Sequence, residues 1–367
     1  MKFFKYFLVA LVVWTVLMMP VQAAVDRVGS IRIFSGEENL MDEMTPIAVD
    51  PDSPLYQAFQ SKDRVNVMLL GVNDGMTDTI MVGSYDMKHQ HVDVISVPRD
   101  TYYERKGYSG ASLKINSIYH GSKNGGAVGT AEAVSTVLQG MPIHYYVVVD
   151  YDGVKNIVDA IGGVEMEIPF RMKYDDPTDK PPLHIDIPAG TQEINSSNVV
   201  QFLRFRHANS GSGYRSYPEG DIGRVKMQQE FIKQAFKQSL GLQLPKVAAT
   251  ILDNVDSDLN IGIATKVATK AGGLTAEDME TYTVPGDSGM IGGLSFWKQD
   301  VDATQEMLQQ IYAIGDDEED GDDPAEVIPE EEPGFFQKVW MLITGEGRGG
   351  SDDPDSGDGG GTEDDAE

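Results

Sequence analysis

RVNVMLLGVNDGMTDTIMVGSYDMKHQHVDVISVPRDTYY (Arg64–Tyr103) is the stretch that decides the fold. It contains three apolar runs, Arg64–Val72, Thr79–Asp86 and His91–Pro98, separated by polar breaks. Short apolar runs rich in β-branched residues and bounded by turn residues read as buried strands. Met87–Gln90 reads as the turn between the second and third. Asn73, Asp74 and Asp78 crowd the break between the first and second. An oxygen-rich loop of this kind suits Mg²⁺, with water and substrate phosphate completing its shell. The same residues also make an ordinary hairpin turn. Arg99 and Asp100 stand just past the third strand, and ligands of open α/β sheets bind beyond the carboxyl ends of strands.

Downstream, Ala127–Gly140 has helical spacing and a glycine stop, and His144–Tyr151 is a further strand. Asp152–Gly163 reads as a short helix, Val164–Ile168 as a strand and Asn195–Phe205 as helical. Gly223–Gly241 is a firmer helix, with Val225, Phe231, Ile232, Ala235 and Phe236 largely on one side. Strands alternating with helices predict one mixed α/β domain over residues 63–314.

The ends differ in kind. Residues 1–25, MKFFKYFLVALVVWTVLMMPVQAAV, pair two lysines with an uncharged apolar run and read as a signal peptide or an uncleaved anchor. Residues 26–62 read as a linker or accessory segment, and 315–367 as an acidic low-complexity tail. Within that tail Phe335–Ile343 is apolar but too short to span a bilayer. From Asp316 onward there are 20 acidic residues against two basic ones, so most of the net charge of −29 lies there. Duplex nucleic acid is not an expected partner, because its binding depends on many Lys and Arg contacts to phosphate. The absence of Cys rules out disulfides, thiolate metal sites and thiol nucleophiles.

Against this acidity, QFLRFRHANSGSGYRSYPEGDIGRVKMQQEF (Gln201–Phe231) gathers Arg204, Arg206, Arg215 and Arg224. Asp221, Arg224 and Gln228 stand at i, i+3 and i+7 and share one face at a helix start. That combination makes either an anion or metal–anion site, or a helix cap with a salt bridge. Arg204 and Arg206 point the same way if the chain is extended and diverge if it is helical. Paired guanidinium forks suit phosphate. The six histidines show no metal-ligand spacing, and neither a G-x-S-x-G elbow nor a phosphate-cradling glycine loop is present.

In order, LLGVND, TDTIMV, SVPRDTYY, KINSIYHG, HYYVVVDYDGVKNIVDAIGGVEMEI, IPAG, VVQFLRFRH and GDIGRVKMQQEF resemble the LytR-CpsA-Psr domain of bacterial cell-envelope proteins. The match runs from about Arg64 to Ser239, with a weaker echo in TVPGD (Thr283–Asp287) and SFWKQD (Ser295–Asp300). The resemblance implies an extracytoplasmic, membrane-associated α/β domain with a central mixed sheet flanked by helices. It implies Mg²⁺-dependent transfer (Mn²⁺ being an alternative) of a glycopolymer phosphate from a polyprenyl pyrophosphate carrier to peptidoglycan. The implied acceptor is typically the 6-hydroxyl of N-acetylmuramic acid, the implied donors are teichoic acids, capsules and related polymers, and the lipid is expected in an apolar groove or tunnel. The family's pyrophosphate-binding positions fall on Arg99, Arg204, Arg206, Arg224 and Gln228. Arg99, Asp100, Asp221 and Arg224 form the expected catalytic group, and Asp78 with Asp74 or Asn73 the expected metal ligands. Met76 and Met227 depart from the family's basic residues. Met76 motivates one alternative, a non-catalytic binding or sensing protein for lipid pyrophosphate, and the resemblance adds another, the envelope-linked transcriptional attenuator that some family members are labelled as.

Overall fold

The computed structural model describes residues 40–45, 47–121, 125–179, 182–240, 250–259 and 261–313. The export segment, the acidic tail and Phe335–Ile343 lie outside the described residues. Among those described, no helix is long and apolar enough to cross a membrane.

Two short helices, α1 (Leu40–Glu43) and α2 (Leu55–Ala58), precede the strands β1 (Arg64–Asn73), β2 (Met76–Asp86) and β3 (His91–Ser96). Helices α3 (Ile118–Gly121) and α4 (Gly126–Val137) lead to β4 (Tyr145–Val149) and α5 (Tyr151–Ile161). Four short strands follow, β5 (Val164–Ile168), β6 (Met172–Asp176), β7 (Leu183–Ile187) and β8 (Gly190–Ile194). Then come α6 (Val199–Arg204), the long α7 (Asp221–Leu240), β9 (Asp256–Ser257) and α8 (Ile261–Lys270). The described chain closes with β10 (Met279–Thr283), β11 (Gly286–Ile291), β12 (Leu294–Gln299) and α9 (Val301–Ile311). The central sheet has the order β10-β3-β2-β1-β4-β9. It is mixed as expected: β1–β2–β3 run antiparallel, while β10 joins β3 and β4 joins β1 in parallel.

β1 is apolar on both faces, for a different reason on each. Met68 and Leu70 point into the main core with Ile80, Val82, Ile95 and the α4 residues Ala131 and Val134. Val67, Leu69 and Gly71 point the other way, onto a cavity roofed by α5, α7 and α8. The largely apolar run therefore marks a strand with one packed face and one face open to an apolar space. Leu40, Leu55 and Phe59, in the segment read as linker or accessory, are buried in the main core.

The expected loop at Asn73–Asp78 is shorter than its composition suggests. Asn73 pairs with Met76, so Asp74 and Gly75 alone make the turn, at φ 48° and 74°. Two central residues at positive φ match the twist of a two-residue hairpin, and glycine adopts that geometry without strain. His120 packs so close to Gly75 that a Cβ there would sit 2.3 Å from its ring. The ladder then slips: Val72 pairs with Thr77 and Gly71 with Thr79, leaving Asp78 as the extra residue of a β-bulge. Bulges re-aim side chains, and this one turns Asp78 toward the cavity.

A second core lies under two of the three small two-stranded sheets, β5–β8 and β6–β7, the third being β11–β12. Phe205 is fully buried there, edge-on to Phe170 and Tyr217 at 6.1 and 5.5 Å between ring centroids. Just before β4, the half-buried His144 accepts the backbone N–H of Asn66 at 2.9 Å.

Two outcomes follow from these environments. Leu70→Ala should cost about 2–5 kcal/mol in chemical denaturation, because it opens a void in packed core. Leu69→Ala should cost clearly less, since its side chain already borders open space, and equal losses would contradict the two-faced strand. Burial pulls the His144 pKa from 6.5 down to about 4. Its neutral form therefore stabilises the fold fully above pH 6.5, and that contribution is lost as pH falls toward 4. The loss is about 3 kcal/mol, read as a drop in unfolding free energy over that window that His144→Gln flattens.

Candidate active site

The cavity has a volume of about 770 Å³. Much of its lining is apolar, with Val67, Leu69, Val147, Ile157, Phe231 and Ile232 among others, and its polar lining includes Asp78, Arg99, Tyr151, Asp176, Asp179, Arg204, Arg206, Arg224 and Gln228. The polar residues come from several separate segments of the chain, each fixed locally.

Arg99 follows β3. Its carbonyl accepts from the Asn116 N–H at 3.2 Å, and the next carbonyl, of Asp100, accepts from Trp297 N–H at 2.9 Å. Trp297 lies on β12, within the SFWKQD echo, and its indole N–H donates to the Val284 carbonyl, within TVPGD. The weak C-terminal echo is thus a buttress for the Arg99 loop. α6 ends at Arg204, and Phe205 turns extended (φ −61°, ψ 124°). The buried Phe205 side chain fixes the pivot, and both flanking arginines line the cavity. Neither of the simple expectations for LRFR holds alone: one arginine is the last helical residue and the other is beyond it.

α7 starts at Asp221, and Gly223 lets its first turn press on Tyr217, where a Cβ would lie 2.4 Å from the Tyr217 Cβ. Gln228 donates to the Leu203 carbonyl at 3.0 Å and so ties α7 to the end of α6. Gln229, also buried, donates to Ser96 Oγ at 2.9 Å and to the Tyr282 carbonyl at 2.6 Å, tying α7 to β3 and β10.

The charges interlock. Asp221 contacts Arg99 Nε at 3.7 Å, Arg206 Nε at 3.4 Å and Arg224 Nη2 at 3.1 Å. Asp78 Oδ1 accepts from Arg99 Nη1 at 2.5 Å, and its Oδ2 from the Tyr151 hydroxyl at 3.3 Å. Arg204 pairs with Asp179 at 2.7 Å and lies over the Tyr151 ring at 5.5 Å. Four guanidinium groups thus meet three carboxylates. The Nε–H groups of Arg99 and Arg224 are buried and donate no hydrogen bond among the described residues. Burial pulls the Arg224 pKa down, and Arg99 and Arg206 push the same way against Asp221 and Asp78. Burial also pulls on Arg99, but Asp221, Asp78 and Asp100 outweigh it and the net shift is upward. Burial, then Asp78, raises the Tyr151 phenol well above its usual range, so it stays a neutral donor. An arrangement of four clustered guanidinium groups with unused buried donors is suited to a multiply charged anion.

Arg99, Arg204, Arg206, Arg224, Gln228, Asp221 and Asp78 are therefore brought together. Asp100 is not: it pairs with Lys114 at 3.0 Å and does not line the cavity. Asn73 and Asp74 stay at the hairpin turn, also off the lining, which leaves Asp78 as the member of the expected metal set that faces the site. Its donor chemistry fits Mg²⁺, which takes one or two carboxylates and completes its shell with water and phosphate. Met76 is exposed at the start of β2 and also off the lining. Arg215 is exposed over the Phe170 ring at 5.3 Å, and Met227 packs on the second core. Tyr151 and Gln229 were missed from sequence. Tyr151 reads as the end of a strand, and nothing in the chain signals its reach to Asp78 across 73 positions.

Removing the shared carboxylate should expose the repulsion among the arginines. Asp221→Asn is expected to lose about 3 kcal/mol of stability and to recover more of it than wild type on addition of inorganic pyrophosphate, read by thermal unfolding. Equal pyrophosphate responses would show that Asp221 does not stand where an anion binds.

The LytR_cpsA_psr family model matches residues 31–312. The polyisoprenyl-teichoic acid–peptidoglycan teichoic acid transferase TagV of Bacillus subtilis (strain 168) is 25% identical over 255 residues, 66% of this chain and 62% of its own length. Regulatory protein MsrR of Staphylococcus aureus (strain COL) is 26% identical over 234 residues, 60% of this chain and 64% of its own length. The chain thus spans less than two thirds of either relative. The crystal structure of B. subtilis TagV shares the fold, with a TM-score of 0.56 and 24% identity over 69% of this chain and 99% of that one. With most of its residues matched by the family model, the chain belongs to the LytR_cpsA_psr family.

Proposed function

We propose that this member of the LytR_cpsA_psr family is an extracytoplasmic transferase. It moves a cell-wall glycopolymer phosphate from a polyprenyl pyrophosphate carrier to the 6-hydroxyl of N-acetylmuramic acid in peptidoglycan. The observation that carries the reading is the joining of two unlike environments: four arginines line a cavity of about 770 Å³ whose lining is otherwise largely apolar. A lipid pyrophosphate has the same two-part character. The transferase name of the TagV relative supports the same class of reaction.

In this reading the polyprenyl chain occupies the apolar part of the cavity between β1, β4, α5 and α7, and Arg99, Arg204, Arg206 and Arg224 hold the pyrophosphate. The acceptor hydroxyl oxygen attacks the phosphorus that bears the polymer, a new P–O bond forms, the bond to the bridging oxygen breaks to release polyprenyl phosphate, and the hydroxyl proton passes to solvent. Such transfer depends on positioning and charge neutralisation more than on covalent help from the protein. The buried Nε–H groups of Arg99 and Arg224 are the donors left to take up charge that builds on the leaving phosphate. Tyr151 holds Asp78, and Asp221 keeps the guanidinium groups in place until the anion enters. Mg²⁺ held by Asp78 and phosphate oxygens would add further charge neutralisation.

With a polyprenyl pyrophosphate glycopolymer, peptidoglycan and Mg²⁺ supplied, Arg99→Ala and Arg224→Ala should each slow release of polyprenyl phosphate about 100-fold, the loss of a few kcal/mol of transition-state stabilisation. Arg215→Ala, outside the cavity, should leave the rate unchanged. Turnover by the first two variants at the wild-type rate would remove the arginine cluster from the mechanism. Tight carrier binding by wild type without turnover would instead favour a sensing protein.

A further inference from the structure

At the other end of β3 from Arg99, the strand pattern assembles a second set of donor atoms. His91 and Asp93 are two residues apart on β3 and so project from the same face. On the neighbouring parallel strand Glu280 is the register partner of Asp93. One ligand atom from each of His91, Asp93 and Glu280 lies within 4.8 Å of the others. His91 Nε2 and Asp93 Oδ1 are 3.2 Å apart. Two donors bonded to one Zn²⁺ at about 2.0–2.2 Å with near-tetrahedral angles stand roughly 3.3 Å apart, so this pair is already at ligand spacing.

Charge around the cluster points the same way. Asp93 is 1% exposed, and the nearest cation, Arg64, is divided between it (2.9 Å) and Asp86 (3.3 Å). Glu280 has a hydrogen bond from the Tyr282 hydroxyl at 2.6 Å and no ion pair among the described residues. One guanidinium is thus shared by two buried carboxylates, and the exposed Glu280 beside them is paired with no cation among the described residues. Arg64 bonds the Oδ2 of Asp93 and leaves Oδ1 turned to His91, the arrangement in which a hydrogen-bonded outer partner orients a ligating carboxylate.

The geometry points to a binding site for a divalent transition-metal ion of the Zn²⁺ type, held by His91 Nε2, Asp93 Oδ1 and a Glu280 carboxylate oxygen, with water in the fourth position. One imidazole and two carboxylates form a donor set suited to Zn²⁺. Such an ion would clip the edge strand β10 to β3 and offset the excess negative charge. The site shares no residue with the arginine cluster, so it stands whether or not the transferase reading does.

Zn²⁺ titrated into the metal-stripped full chain tests it, by calorimetry and by thermal unfolding. Wild type should show one site of micromolar affinity and a rise in unfolding midpoint of about 5 °C at a hundredfold excess over Kd. His91→Ala and Glu280→Gln, at the more exposed positions, should each weaken binding at least tenfold and abolish the shift, while Asp78→Asn keeps both. Weak binding to the acidic run beyond residue 315 is common to all four proteins and cancels in the comparison. No saturable site in wild type, or the same site and shift in His91→Ala and Glu280→Gln, would overturn the assignment.

Discussion

Arg224 is 5% exposed, and a guanidinium that deep is tolerable only with a carboxylate beside it. Asp221, one helical turn earlier, is that carboxylate, and it also reaches Arg99 and Arg206. Three distant segments therefore converge on one side chain. The orientation of α7 follows from this and from its two glutamines, with Gln228 bound to the end of α6 and Gln229 to the ends of β3 and β10. A rotation of α7 that broke either contact would leave buried polar groups unpaired, so the polar end of the helix is held by the same bonds that build the site.

The apolar end of α7 has the opposite task. Phe231, Ile232, Ala235 and Phe236 border the cavity together with Val67 and Leu69 of β1 and Val147 and Val149 of β4. Core packing ordinarily fills such space, and an open volume of this size lacks the dispersion contacts of a filled one. It persists because the backbone around it is fixed independently, by the six-stranded sheet on one side and the second core on the other. A lipid chain seated there would supply the missing contacts, which is the physical link between the fold and the proposed donor.

Much of the fold was legible because its elements announce themselves locally. The three strands in Arg64–Pro98 and the α5 helix with its Gly162 stop depend on nearest neighbours, and the residues Asp221, Arg224 and Gln228 share a helix face through spacing alone. Less local features were not legible. Asn73 and Asp74 carried the composition of a metal loop, but a two-residue turn needs the same residue types, and the bulge that singles out Asp78 is a property of the pairing rather than of either strand. Asp100 looked equivalent to its neighbour until Lys114 engaged it. The histidines showed no ligand spacing because His91 and Asp93 acquire their third partner, Glu280, from a strand nearly 190 residues later.

The sequence by itself determined the α/β class, the family, and the arginines that converge, since those follow from periodicity and from ordered short motifs. Tertiary structure alone decided which carboxylates they meet, that β1 shows one face to core and the other to a cavity, and that Tyr151 and Gln229 belong to the site. The reason is one of range: period and spacing are set by bonds along the chain, whereas burial, ion pairing and empty volume arise between segments that the chain order keeps apart.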